Sequence, residues 1–187
     1  MTDTADADLK SELERLRAEV EALRLRAEAA EAAADHDVLT PVLNRRGFLS
    51  VLQRQMAYCQ RHETPAALLY LDLDGFKGVN DRLGHAAGDA ALVWVARLLM
   101  ANVRESDAVG RLGGDEFAVL LMNAGAEEAK DKAARLRETF QEAPFAWQGE
   151  PTQLGASFGV RAFAGQGDPE VWLAEADAAM WVRKRGR

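Results

Sequence analysis

Cysteine is almost absent: Cys59 is the one cysteine in 187 residues. One thiol cannot close a disulfide within the chain, so a disulfide-stapled scaffold is excluded and a reducing cytosol is the expected compartment. Long apolar runs are missing too. The longest, Ala90–Ala96 followed by Leu98–Ala101, is interrupted by Arg97, short of the ~20 residues a membrane-spanning helix needs. Met1 to Asp8 is acidic and polar, without the apolar core of a secretory signal. A cytoplasmic protein with no membrane partner is expected. Positive charge is in deficit, with 23 Lys and Arg against 30 Asp and Glu and a formal net charge of −7. A protein that grips nucleic acid by its phosphates needs a basic face, so no nucleic-acid partner is expected. An acidic protein can still bind a nucleotide, through a metal and a few local cations. A hydrophobic content of 48% suffices for a packed core, so disorder is not expected.

What is present begins with a helix. Leu9, Leu13, Leu16, Val20, Leu23, Ala27, Ala30 and Ala34 recur at alternating spacings of four and three. This is a heptad seam, with Leu13, Val20, Ala27 and Ala34 at a and Leu9, Leu16, Leu23 and Ala30 at d. In a parallel, in-register dimer each g position faces the next e position of the partner. Those pairs are Glu12–Arg17, Glu19–Arg24 and Arg26–Glu31, all of opposite sign. Residues 1–35 therefore read as a parallel coiled coil that makes a homodimer. The competing reading is one amphipathic helix packed on its own domain, and Leu25 at an outward f position favours it.

Residues 36–187 read as one globular domain. Asp35–Gly47 contains Thr40-Pro41 and suits a turn; Arg46–Arg61 suits a helix. Ala66–Leu71 is an unbroken apolar run, as in a buried strand. Asp74–Gly88 carries four glycines around a short polar segment, and Asp89–Asn102 is a strong helix. Asp107–Leu112 and Glu116–Leu121 flank Gly113-Gly114 as a hairpin. Ala126–Gln141 is helical, Gln153–Phe163 a strand, and Pro169–Arg185 a last helix capped near Asp168. The order predicts an α+β fold, a palm-like (ferredoxin-like) sandwich with a central antiparallel sheet.

Two acidic clusters carry the chemistry. Asp72-Leu73-Asp74 follows the buried run, and Asp115-Glu116 follows the two glycines of the hairpin. A strand ending in carboxylates beside a hairpin presenting carboxylates can hold Mg²⁺, with Mn²⁺ the alternative. Such hard ions take oxygen ligands and leave room for substrate phosphates. A bound ion helps to lower the pKa of an attacking hydroxyl. Gly113 and Gly114 let a substrate approach the backbone closely. Either cluster alone could be a polar strand end or a turn; their joint occurrence is harder to reach by accident.

Gly113-Gly114-Asp115-Glu116-Phe117 is the signature that names the GGDEF family of diguanylate cyclases, and the resemblance extends further. Asp37-Val38-Leu39-Thr40-Pro41-Val42-Leu43-Asn44-Arg45-Arg46 resembles the family's opening stretch, with Pro41 where glycine is usual. Leu71 to Asp81 is similar to its metal and nucleotide segment. Gly84-His85-Ala86-Ala87-Gly88-Asp89, Ser157-Phe158-Gly159-Val160 and Ala176-Asp177 resemble its later landmarks, in order.

The resemblance implies a function: condensation of two GTP into cyclic di-GMP with release of pyrophosphate. It implies that Asp72 binds the metal through its side chain and Leu73 through its carbonyl. Asp115 is implied as metal ligand and as base for the ribose 3′-hydroxyl, and Glu116 as support for a second metal position. Asn80 and Asp89 are implied to read guanine, with His85 shaping the base pocket. Phe76 and Lys77 are implied beside the triphosphate. The C-terminus departs from the pattern of lysine, two residues, then Gly-Arg. Counting back from Gly186-Arg187 puts Arg183 at the lysine position; counting forward from Ala176-Asp177 puts Lys184 there. Arg104-Glu105-Ser106-Asp107 matches the family's RxxD site, which implies inhibition by cyclic di-GMP bound at Arg104 and Asp107. Without the family, that motif reads as an ion pair where a helix meets a strand. Cyclic di-GMP is two-fold symmetric, so two domains must face each other, which a parallel coil favours. The alternative function is a non-catalytic receptor for GTP or cyclic di-GMP, whose usual mark is loss of signature carboxylates.

Overall fold

The computed structural model describes residues 2–142 and 144–185, with side chains described for 12–26, 34–142 and 144–182. The chain divides into two compact units, Met1–Asp35 and His36–Arg187. The first is a single helix, α1 (Thr2–Asp35). Its seam residues Leu13, Leu16, Val20 and Leu23 stand about half exposed, so one copy leaves the apolar stripe open to water. Arg15 pairs with Glu12 at 2.7 Å on the flank. The side chains of Leu9, Ala27, Ala30 and Glu31 lie outside the described residues.

The second unit is built around β1 (Ala66–Asp74). Its elements in chain order are α2 (Arg45–His62), β1, α3 (Phe76–Leu83), α4 (His85–Ala101), β2 (Ala108–Gly113), β3 (Glu116–Met122), α5 (Ala126–Glu142), β4 (Phe145–Trp147), β5 (Glu150–Thr152), β6 (Gly155–Ala162) and α6 (Pro169–Arg185). The main sheet runs β2-β3-β1-β6 with every neighbour antiparallel, and β4 and β5 form a separate small hairpin. This is the palm-like α+β sheet expected.

Strand alternation divides the core in two. Ala67, Leu69, Leu71 and Leu73 of β1 pack with Leu99 of α4 and Leu136 of α5. Ala66, Leu68 and Tyr70 point the other way, against Leu52 of α2 and Trp172 of α6. Because β1 is covered on both faces, it tolerates an unbroken apolar run. Asn44 caps α2, its Oδ1 accepting from the Gly47 N–H at 2.9 Å.

Two expectations need correction, and one hairpin went unread. β1 does not stop at Leu71 but continues through Asp74, so the acidic cluster lies inside the ladder. The glycine-marked segment after Asp74 is mostly helical: it forms α3 and the first turn of α4, so the helix read from Asp89 begins at His85. Gly75 and Gly84 have φ of +86° and +84° and bound α3, while Gly78 and Gly88 lie within helices. The β4–β5 hairpin had no signal in the sequence, because strands of three residues carry too few alternations to detect. Among the described residues no helix is long and apolar enough to cross a membrane.

Candidate active site

Glu116 is the first residue of β3 and pairs directly with Asp72 of β1. Opposite residues of an antiparallel pair put their side chains on one face, about 5 Å apart. The ladder therefore sets one carboxylate from each acidic cluster side by side. Both are half-buried. Leu73 is buried, and its N–H donates to the Asp115 carbonyl at 3.3 Å, which draws the hairpin turn against the end of β1. Asp74 has a different task. The Ser157 hydroxyl lies 2.9 Å from each of its carboxylate oxygens, tying β1 to β6.

The glycine turn is clamped by a residue that the sequence did not single out. Arg111 donates through Nε and Nη2 to the Gly114 carbonyl, at 3.0 and 2.8 Å. Its Nη1 donates to Asp37 at 3.2 Å. Asp37 also accepts from the Thr40 hydroxyl at 2.7 Å and the Thr40 N–H at 2.8 Å. Burial pushes the Asp37 carboxyl up, but Thr40 and the Arg111 guanidinium outweigh it and hold it below the usual range. The Asp-x-Leu-Thr stretch thus anchors the signature turn. The available signal was an arginine two residues before Gly113.

Beside this lies the second group. Phe76, Lys77 and Asn80 are on α3; His85 and Asp89 are on α4. Asn80 lies against Gly88: a Cβ there would come within 2.0 Å of Asn80 Oδ1. Glycine at 88 lets the amide settle on α4 beside Asp89. Phe76 packs into the core on the α4 side, whereas Lys77, His85 and Asp89 are exposed to solvent. The side chains of Arg183 and Lys184, and Gly186-Arg187 entirely, lie outside the described residues.

Tyr70 was read only as part of the apolar run. It is 6% exposed and lies two residues before Asp72 on the same face, diagonal to Glu116 across the β1–β3 ladder. Burial first, then the charges of Glu116 and Asp177, push the phenol well above its ordinary range, so it remains a donor.

Arg104 and Asp107 lie at the turn before β2. Asp107 accepts from the Arg104 N–H at 2.9 Å and the Met122 N–H at 3.0 Å, so it caps the turn and pins it to β3. A cleft of about 280 Å³ opens there, lined in part by Arg104, Asp107, Lys132 and Arg135. Lys132 and Arg135 also escaped the sequence reading. Burial pulls the Lys132 ammonium below its usual range; Arg135 and Arg104 add to this, and Asp107 opposes it. Glu128 and Asp131 also line the cleft, so three cations face three carboxylates, of which Asp107 is tied up in capping the turn.

The family model "Diguanylate cyclase, GGDEF domain" matches residues 34–187. The chain belongs to the GGDEF diguanylate cyclase family. Among similar members, the diguanylate cyclase DosC of Escherichia coli K12 is 39% identical over 150 residues, 80% of this chain and 33% of DosC. Diguanylate cyclase TpbB of Pseudomonas aeruginosa PAO1 is 40% identical over 154 residues, 81% of this chain and 35% of TpbB. The chain thus spans about a third of the length of these relatives. A crystal structure of the coiled coil and GGDEF domain of DgcB from Caulobacter crescentus, in complex with c-di-GMP, is 28% identical with a TM-score of 0.83 and covers 95% of each chain.

GGDEF diguanylate cyclases are generally dependent on a divalent metal. Among the described residues no three His, Cys, Asp or Glu side chains are grouped to hold an ion alone. The donors that the ladder brings to this end of β1 are oxygens: the carboxylates of the paired Asp72 and Glu116, with the Asp115 backbone carbonyl close by. A hard cation that also takes phosphate oxygens and water fits such a partial set.

Proposed function

We propose that this GGDEF-family chain is a diguanylate cyclase that condenses two GTP into cyclic di-GMP and two pyrophosphates. The observation that carries this reading is the pairing of Asp72 with Glu116, with Asp115 drawn to the same end of β1 by the Leu73 N–H. Asp72, Asp115, Glu116 and the Leu73 carbonyl would hold Mg²⁺ or Mn²⁺. Such an ion neutralises phosphate charge and lowers the pKa of a nearby hydroxyl. Asn80, settled on Gly88, and Asp89 read the guanine edge; an amide offers a donor and an acceptor, and a carboxylate accepts from N1–H and the 2-amino group. His85 flanks the base. Phe76 and Lys77 border the triphosphate, and Arg183 or Lys184 adds positive charge from α6.

The 3′-oxygen of one GTP gives its proton to Asp115 and attacks the α-phosphorus of the other. The bond to pyrophosphate breaks as the new P–O bond forms, and the same step repeated in the opposite sense closes the ring. Each domain brings one GTP, so two must meet face to face. The open stripe on α1 suits a parallel coiled coil with a second copy, which keeps two catalytic domains at a high effective concentration. The DgcB neighbour, which pairs a coiled coil with a GGDEF domain, supports this arrangement. Cyclic di-GMP binds back at Arg104 and Asp107, where Lys132 and Arg135 add charge for its phosphates, and inhibits.

The test is incubation with GTP and Mg²⁺ followed by chromatography. Cyclic di-GMP and pyrophosphate should form from GTP and not from ATP, and Asp115→Asn should abolish turnover while leaving the fold intact. Undiminished product from that variant overturns the assignment of Asp115.

A further inference from the structure

We propose that the outward face of α6 is a self-association surface, on which α6 of a second copy packs antiparallel. The helix is apolar on two sides. Trp172, Leu173, Ala176 and Met180 are buried in the core that α6 shares with α2. On the outward side Val171, Ala174, Ala178, Trp181 and Val182 are all exposed, Val171 by 50%, Trp181 by 52% and Val182 by 75%. At about 100° per residue these side chains fall within an arc of about 100°, so they form one stripe rather than scattered points. A groove of about 410 Å³ runs there, lined by Ala174, Asp177, Ala178, Trp181 and Val182. A helix that is apolar all round is one that becomes covered on both sides.

The spacing identifies what covers the stripe. Val171, Ala174, Ala178 and Trp181 stand at intervals of three, four and three, so the pattern reads the same from either end. A two-fold contact needs such a pattern, because each copy offers the same surface in reverse. With the helices antiparallel about position 176, Ala174 lies opposite the partner's Ala178 and Val171 opposite the partner's Trp181. The alanines let the helix axes approach to about 8 Å, and the indole covers the valine at each end. The charges fit the same arrangement. Asp168 and Glu170 stand at the start of α6, and the sequence carries Arg183, Lys184 and Arg185 at its end. Antiparallel packing brings acidic ends to basic ends and opposes the two helix dipoles, whereas a parallel pair would stack like charges. One carboxylate oxygen of Asp168 accepts from the Glu170 N–H and one of Glu170 accepts from Arg45, which among the described residues leaves the second oxygen of each for a partner. The stripe is small beside the ~20–30 residues a side of a standard interface. The contact is therefore weak alone and acts between copies already held close together.

The test uses the full chain and reads the helix register by disulfide formation. Ala174→Cys and Ala178→Cys proteins, co-expressed with different tags and mildly oxidised, should link to each other. Val171→Cys alone should not. Antiparallel packing leaves the two copies of position 171 about 15 Å apart along the helices, beyond the reach of a disulfide. Native Cys59 is buried and stays out of the reaction. Adding Val171→Lys to both members of the linking pair sets a positive charge against the partner's basic end and should lower the linked yield at least ten-fold. Val171 is half exposed, so the fold should survive, and an unchanged circular dichroism spectrum checks that it has. No link in the pair, as much link in Val171→Cys as in the pair, or a yield that Val171→Lys leaves unchanged overturns the proposal. If the pair stays unlinked and Trp181 is shielded from hydroxyl radicals only when a different protein is added, the proposal also fails and the face belongs to that other partner. GTP enters no arm, so the outcome is independent of the cyclase reading.

Discussion

Replacing Arg111 with alanine should unfasten the signature turn. The side chain makes two hydrogen bonds to the Gly114 carbonyl and, through Nη1, two longer ones to the Asp37 carboxylate oxygens, and Arg111 and Asp37 have side chains only 16% exposed. A fully exposed ion pair contributes about 0–1 kcal/mol, whereas hydrogen bonds to charged groups with limited solvent access contribute about 1.5–3 kcal/mol. Loss of the clamp should therefore cost about 2–3 kcal/mol. For a domain of this size that corresponds to a fall of roughly 5–10 °C in Tm. Turnover should fall by about ten-fold or more, because Asp115 and Glu116 leave the turn that Arg111 holds. The pH dependence provides an internal check. The folded Asp37 carboxyl lies below its ordinary range. Its stabilising contribution is thus complete above the unfolded value of about 3.9 and is lost as pH falls through the folded value. Urea unfolding of wild type and Arg111→Ala should differ most near about pH 7 and less below about pH 4, where the two bonds to the Gly114 carbonyl remain but the Asp37 charge is lost. A difference under about 0.5 kcal/mol at neutral pH, or one that does not narrow in acid, would refute the clamp.

Gly88→Ala should displace the Asn80 amide and weaken GTP binding by about ten-fold or more, read by calorimetry; unchanged affinity would mean that Asn80 does not touch the base. Arg104→Ala should relieve inhibition by cyclic di-GMP and leave the initial rate nearly intact, seen in rates against GTP with and without added product. A protein starting at His36 should be mostly monomeric and poorly active at dilute concentration, by sedimentation and product formation; full activity as a monomer would remove the coil from the mechanism.

Much of this was legible in the sequence for physical reasons. Ala66–Leu71 reads as a covered strand because an unbroken apolar run needs both faces buried, and β1 is indeed an internal strand with a core on each face. The carboxylates of Asp72, Asp115 and Glu116 announce a site because clustered charge at strand ends needs a purpose. What escaped depends on long-range placement. Arg111, Lys132 and Arg135 look like ordinary surface cations until the fold sets one against Gly114 and the others against Arg104. Tyr70 hides in an apolar run, where its hydroxyl has no sequence signature. The glycines of residues 74–88 suggest breaks, yet two of them are helix-internal; glycine content alone does not separate a boundary from a close contact.

The position of β1 also has a consequence for how the protein is made. The hydrogen bond from Ser157 to Asp74 joins residues 83 apart in the chain. Asp72 cannot acquire both of its strand neighbours until β3 and then β6 have left the ribosome. A nascent chain that has emerged only through the signature turn exposes the carboxylates without the frame that orients them. At roughly 5–20 residues per second, the interval between emergence of Glu116 and of Ser157 is on the order of seconds. During it, β1 has one open edge and is a template for pairing with another chain. Shielding by a chaperone should matter most in that window.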